Sequence, residues 1–137
     1  MPPANAAAAI AALEIIKAEK WRFKKVLENA DCLRKGLLKA GIPAGDSPTP
    51  IVPIKTYGDE RTFLITRALL NEGVYVNPVI SPAVPEGEAM LRASTTATHT
   101  QEQLDFALKG FKKVFAKNPV TRNSDELVIS SLFGKSV

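Results

Sequence analysis

Ser81–Thr100, SPAVPEGEAMLRASTTATHT, is the stretch around which the rest of the chain is arranged. It reads as a proline-bounded loop, a turn at Gly87, a short strand around one arginine, and a helix start at Thr100. Pro78, Pro82 and Pro85 fix φ and remove backbone donors, so the loop is stiff and excluded from a central strand. Met90, Leu91, Arg92, Ala93 and Ser94 follow as a strand whose side chains alternate between faces. Arg92 therefore shares a face with Met90 and Ser94, while Leu91 and Ala93 take the other. Thr100 and Gln103 have capping-box spacing, which starts the closing helix there. A guanidinium beside a stiff loop is suited to a carboxylate or a phosphate, because its paired donors match both. An arginine on a strand is also commonly a solvated or salt-bridged edge residue. Pattern alone leaves both readings open.

Downstream, a helix is predicted from Gln101 to Lys117, with Leu104, Phe111 and Val114 available to pack. Residues 118–137 form a polar, then mildly amphipathic tail (Leu127, Val128, Leu132, Phe133) that is either disordered or docked. Upstream, Val74-Tyr75-Val76 reads as a strand. Before it, Phe63 to Leu70 describes a helix with Asp59 as candidate N-cap and Gly73 as its end. Ile51–Thr56, IVPIKT, is a strand that Pro53 assigns to an edge. A turn-rich connector, IPAGDSPTP, separates it from Gly41, which closes the first helix.

That first helix is predicted to run unbroken from Ala4 to Lys39, behind Pro2 and Pro3. From Ile15 onward, Phe23, Val26, Leu27, Ala30, Leu33 and Leu37 form one stripe, and Lys17, Lys24, Arg34, Lys35 and Lys39 lie away from it. Ala4–Leu13 is different, being apolar nearly all round. Such a helix is normally buried on every side, so a partner surface is expected there; the alternative is that alanine simply tolerates exposure. The element order α-β-α-β-β-α implies an α+β domain, with a three-stranded antiparallel or mixed sheet and helices on one face.

The chain's 137 residues amount to one domain with a modest core, 45% of them hydrophobic. One cysteine excludes an internal disulfide, and one histidine leaves no metal cluster. Cys32 reads as a small residue within a helix. No apolar run reaches the roughly 20 residues of a membrane span, and the N-terminus lacks a signal peptide's basic region, which together point to a cytoplasmic protein. The sequence shows no glycine-rich phosphate loop, no nucleophile–histidine–acid set and no helix-borne carboxylate pair. His99, next to the capping threonine, reads as structural. No catalytic residue is assigned within the chain.

PPANAAAAIAALEII, IVPI, GVYVNPVISPAVPEG and LRASTTATHTQEQLD resemble the C-terminal part of the α-oxoamine synthases. These are pyridoxal-phosphate (PLP)-dependent acyl-CoA:amino acid acyltransferases of the aspartate-aminotransferase fold, PLP fold type I. Serine palmitoyltransferase, 2-amino-3-ketobutyrate CoA ligase and 8-amino-7-oxononanoate synthase belong to them. The likeness spans about Pro2 to Val114. Its most specific part is P-x-V-P-x-G followed by L-R and H-T-x-E. The resemblance implies that residues 1–117 are the small domain of such an enzyme. It implies that Arg92 binds the α-carboxylate of the amino acid and that Pro82, Ala83, Val84 and Pro85 form a loop beside the substrate entrance.

The family's cofactor lysine, its pyridine-nitrogen acid and its ring-stacking histidine lie upstream in family order, and no lysine here has the matching context. The chain then looks like an excised C-terminal domain starting at Met1, not covalently bound to PLP and inactive alone. Its Ala4–Leu13 segment would pack against a missing N-terminal large domain. The parent would be a homodimer condensing an amino acid with an acyl-CoA to an aminoketone. An alternative is a stand-alone module that binds an amino acid through Arg92 without catalysis. Nucleic-acid binding ranks behind both, because Tyr75 is the sole stacking aromatic for the sheet.

Overall fold

Where apolar periodicity and capping agree, the elements form as expected. A computed structural model describes residues 2–120 of the chain. In order they are α1 (Pro3–Ala18), α2 (Trp21–Lys39), β1 (Ile51–Tyr57), α3 (Asp59–Asn71), β2 (Asn77–Val79), β3 (Ala89–Ser94) and α4 (Gln101–Lys117). The domain is α+β. A three-stranded antiparallel sheet, ordered β1-β3-β2, carries helices on one face. The tail residues Leu127, Val128, Leu132 and Phe133 lie outside the described residues.

α4 has the expected start. The Gln103 backbone N–H donates to Thr100 Oγ1 at 3.3 Å, and the Thr100 N–H to Gln103 Oε1 at 3.0 Å. This reciprocal pair satisfies donors that an open helix end leaves bare. α4 packs against both α2 and α3. At its contact with α2, Leu108 lies over Gly36, where an added Cβ would come within 2.5 Å of Leu108 Cδ1 and displace that side chain.

The single N-terminal helix expected over Ala4–Lys39 is in fact two. Glu19 leaves helical geometry at φ −111°, ψ 61°, while its N–H still reaches the Ile15 carbonyl at 2.8 Å. Its carbonyl then accepts the Arg22 N–H at 3.0 Å, and its carboxylate holds the Arg22 guanidinium at 2.6 Å. A new helix starts on that tight turn, with the acid at the end its dipole favours. The expected stripe is buried over only part of its length, the second half of α2. Ala30, Leu33 and Leu37 enter the core, whereas Ile15, Ile16, Phe23 and Leu27 stay exposed. No residue of α1 is buried; Ile10 and Leu13 are 59% and 56% exposed.

The sheet buries one face. Val52, Ile54, Leu91 and Ala93 join Leu37, Ile65, Leu69 and Phe111 in a single core. Burying each large side chain contributes about 1.5–3 kcal/mol. Pro53 sits on edge strand β1 and Pro78 on edge strand β2, where a missing N–H costs no central ladder bond.

Two further expectations need correction. Val74-Tyr75-Val76 is not a strand, because pairing with β3 begins only at Asn77, opposite Arg92. The Val74 N–H is taken by the Leu69 carbonyl at 2.9 Å, behind Gly73 at φ +80°. Its side chain rests where a Cβ on Gly110 would come within 2.8 Å. The backbone is thus drawn toward α3 and α4 and away from β3. Alternation survives, with Val74 and Val76 buried and Tyr75 exposed. Asp59 is likewise not the N-cap of α3. Gly58 occupies that place, and Asp59 is the first helical residue, its Oδ1 accepting the Ser81 N–H at 3.4 Å.

Candidate functional site

The sheet face opposite the helices bears the side chains with chemistry to offer. Register places residues there in rows across the three strands. One row is Asn77, Arg92 and Pro53; the next is Val79, Met90 and Lys55. Directly paired antiparallel residues project to the same side, and burial confirms the side. Leu91 and Ala93 are buried, while Arg92 and Ser94 are exposed. Arg92 therefore stands at the centre of this face, as the alternation predicts.

Among the described residues no hydrogen bond or ion pair occupies its guanidinium, which leaves the salt-bridged edge reading without a partner. Nearby, Lys55 Nζ is held by Glu88 Oε2 at 2.6 Å, with both side chains about one-third exposed. The cation of the second row is thus neutralised and that of the first is not. Asn77 accepts the Tyr75 hydroxyl on its Oδ1 at 2.9 Å.

The proline loop joins β2 to β3, so Pro82–Pro85 and Arg92 belong to one hairpin. The N–H groups of Ala83 and Val84 converge on the Ile80 carbonyl at 2.9 and 3.3 Å, and Glu88 closes on Pro85 at 3.0 Å. Gly87 takes φ +78°, where a side chain would be strained. Pro82, Ala83 and Pro85 are exposed, and Val84 is half-buried. The loop stands at the hairpin tip, beyond the Val79–Met90 row.

Where the chain before β2 splays from β3, a cleft of about 600 Å³ opens on the side of α4, lined by neither Asn77 nor Arg92. Val76, Ala93, Leu104 and Phe106 give it apolar walls, and Thr96, His99 and Gln103 give it a polar rim. His99 serves structure there. Its Nδ1 accepts the Thr96 N–H at 3.2 Å, and its carbonyl accepts Asn29 Nδ2 at 3.1 Å. Sequence reading missed this cleft and Asn77. The signal for Asn77 was its position two residues after Tyr75 on an alternating segment.

Among the described residues no group of three or more His, Cys, Asp or Glu side chains could hold a metal ion. None of the described helices is long and apolar enough to cross a membrane.

Residues 1–111 match the aminotransferase class I and II family. The chain is 40% identical over 115 residues to a serine palmitoyltransferase of Sphingobacterium spiritivorum, covering 84% of this chain and 29% of that protein. It is 36% identical over 117 residues to an 8-amino-7-oxononanoate synthase of Thermosipho melanesiensis, covering 85% of this chain and 30% of the relative. Among solved structures, a serine palmitoyltransferase with a PLP internal aldimine superposes with a TM-score of 0.67 at 31% identity, covering 72% of this chain and 25% of that one. Another, from S. paucimobilis with a bound PLP-myriocin aldimine, gives a TM-score of 0.62 at 32% identity, covering 69% and 24%. The chain spans less than a third of the length of these relatives. It belongs to the aminotransferase class I and II family, with the α+β small-domain architecture of PLP fold type I.

Proposed function

We propose that this chain is the small domain of a PLP-dependent enzyme that converts an amino acid and an acyl-CoA to an aminoketone, carbon dioxide and free CoA. Within it, Arg92 binds the amino acid's α-carboxylate. The observation that carries this reading is a guanidinium at the centre of the sheet's open face that has no partner among the described residues. An arginine fork donates two parallel N–H bonds to a carboxylate, fixing orientation as well as charge. Holding the carboxylate fixes the direction of the Cα–H bond, which proton removal requires.

PLP supplies the electron sink for such chemistry. The described residues do not by themselves complete a site for it. A covalent anchor needs an uncharged amine, and Lys55, the lysine of the open face, is ion-paired to Glu88 at 2.6 Å. On this reading PLP is held by a large domain outside the chain. The exposed apolar face of α1, Ala4–Leu13 included, packs against that domain, and the parent works as a homodimer. The loop Pro82–Pro85 lies beside the substrate entrance.

The test is Arg92→Ala in the full-length protein. Two charge-assisted hydrogen bonds at about 1.5–3 kcal/mol each correspond to a loss of about 100-fold or more in kcat/KM for the amino acid. The absorbance of bound PLP should persist. Unchanged amino-acid kinetics would refute the carboxylate role.

A further inference from the structure

We infer that Asn77 is a second ligand to the substrate carboxylate and that Tyr75 positions it; this rests on the carboxylate role proposed for Arg92. Asn77 and Arg92 are direct register partners of the antiparallel β2–β3 pair. Their Cβ atoms are therefore about 4.5–5.5 Å apart and their side chains leave the sheet together. Tyr75, two residues earlier and 76% exposed, reaches Asn77 with its hydroxyl, donating to Oδ1 at 2.9 Å.

In this arrangement the amide oxygen faces the phenol, which leaves the Nδ2 end as the outward donor. Among the described residues no acceptor takes either Nδ2 hydrogen. A carboxylate offers about four lone-pair positions, and a guanidinium fork fills two of them. An amide N–H one strand away can fill a third without adding charge. On the other flank of Arg92 the row ends at Pro53, whose ring offers no acceptor to compete for the guanidinium. Asparagine is also the informative choice at position 77. An aspartate of nearly the same shape would pair with Arg92 and repel the incoming carboxylate. Tyr75 never touches the ligand in this scheme; it holds the amide in the donating orientation.

The test measures binding of the amino acid and of its α-amide to the full-length holoenzyme by calorimetry, with KM and kcat alongside. Asn77→Ala should weaken binding of the acid about tenfold, the value of one hydrogen bond to a charged group, and weaken the α-amide by less, because its neutral carbonyl is a poorer acceptor. Tyr75→Phe should weaken the acid by less, and should add nothing in the Asn77→Ala background. Asn77→Asp should be worse than Asn77→Ala. If Asn77→Ala binds the acid like the parent while Arg92→Ala does not, the inference fails and the role of Arg92 stands. If Arg92→Ala also leaves acid binding unchanged, both fall. Equal weakening of acid and amide would show a merely structural residue and overturn the inference.

Discussion

Gly110 ties the packing of the helices to the geometry of the site, and Gly110→Ala measures that tie. The glycine is buried on α4 against the segment leading into β2. An added Cβ would lie 2.8 Å from Val74 Cγ2 and 3.7 Å from Glu72 Cβ. Carbon atoms settle at about 3.5–4.0 Å, so the Val74 contact must open by roughly 0.7 Å. Valine is stiff at χ1 and cannot swing clear, which passes the displacement to the backbone. Overpacking of this kind costs about 1–3 kcal/mol, and replacing glycine by alanine within a helix returns about 1. The net expectation is a destabilisation of about 1 kcal/mol. Urea unfolding would show it as a lower midpoint with the slope unchanged. Combining Gly110→Ala with Val74→Ala removes the clashing methyl, so the pair should be less destabilised than the sum of the singles by the overpacking cost of about 1–3 kcal/mol. Tyr75 follows Val74 directly and Asn77 stands three residues after it, so Gly110→Ala should also weaken amino-acid binding in the full-length protein. A Gly110→Ala chain as stable as the parent, with additive behaviour in the double variant, would refute the close-approach argument.

Thr100→Ala removes one half of the capping box of α4 and should cost about 1 kcal/mol in urea unfolding. An unchanged midpoint would mean that the end is held by other contacts. Ile10→Glu with Leu13→Glu should leave the unfolding free energy of this chain within about 0.5 kcal/mol of the parent, since no residue of α1 is buried. In the full-length protein the same pair should lower the thermal midpoint sharply if α1 packs on a large domain, because unpaired charges would enter an apolar interface. No change there would remove the packing proposal.

The sequence by itself determined what local chemistry determines. Thr100 and Gln103 start α4 where their spacing says, because a capping box closes within four residues. Gly41 and Gly73, both at positive φ, end their helices for the same kind of reason. Alternation put Arg92 with Met90 and Ser94, and the edge position of β1 agrees with Pro53, whereas Pro78, read as part of the loop, lies within edge strand β2. The family resemblance was legible too, in the P-x-V-P-x-G and L-R motifs.

Tertiary structure decided the rest, because it depends on groups far apart in the chain. The break at Glu19–Lys20 is a turn accompanied by an ion pair, in which no residue is a helix breaker by type. Val74-Tyr75-Val76 has strand composition, yet its backbone is claimed by Leu69 and its side chain by the space over Gly110, 36 residues on. Asn77 stands beside Arg92 only through register, since the pairing of two strands is not written in either one. Composition and spacing say which face a side chain takes; only packing says what stands next to it.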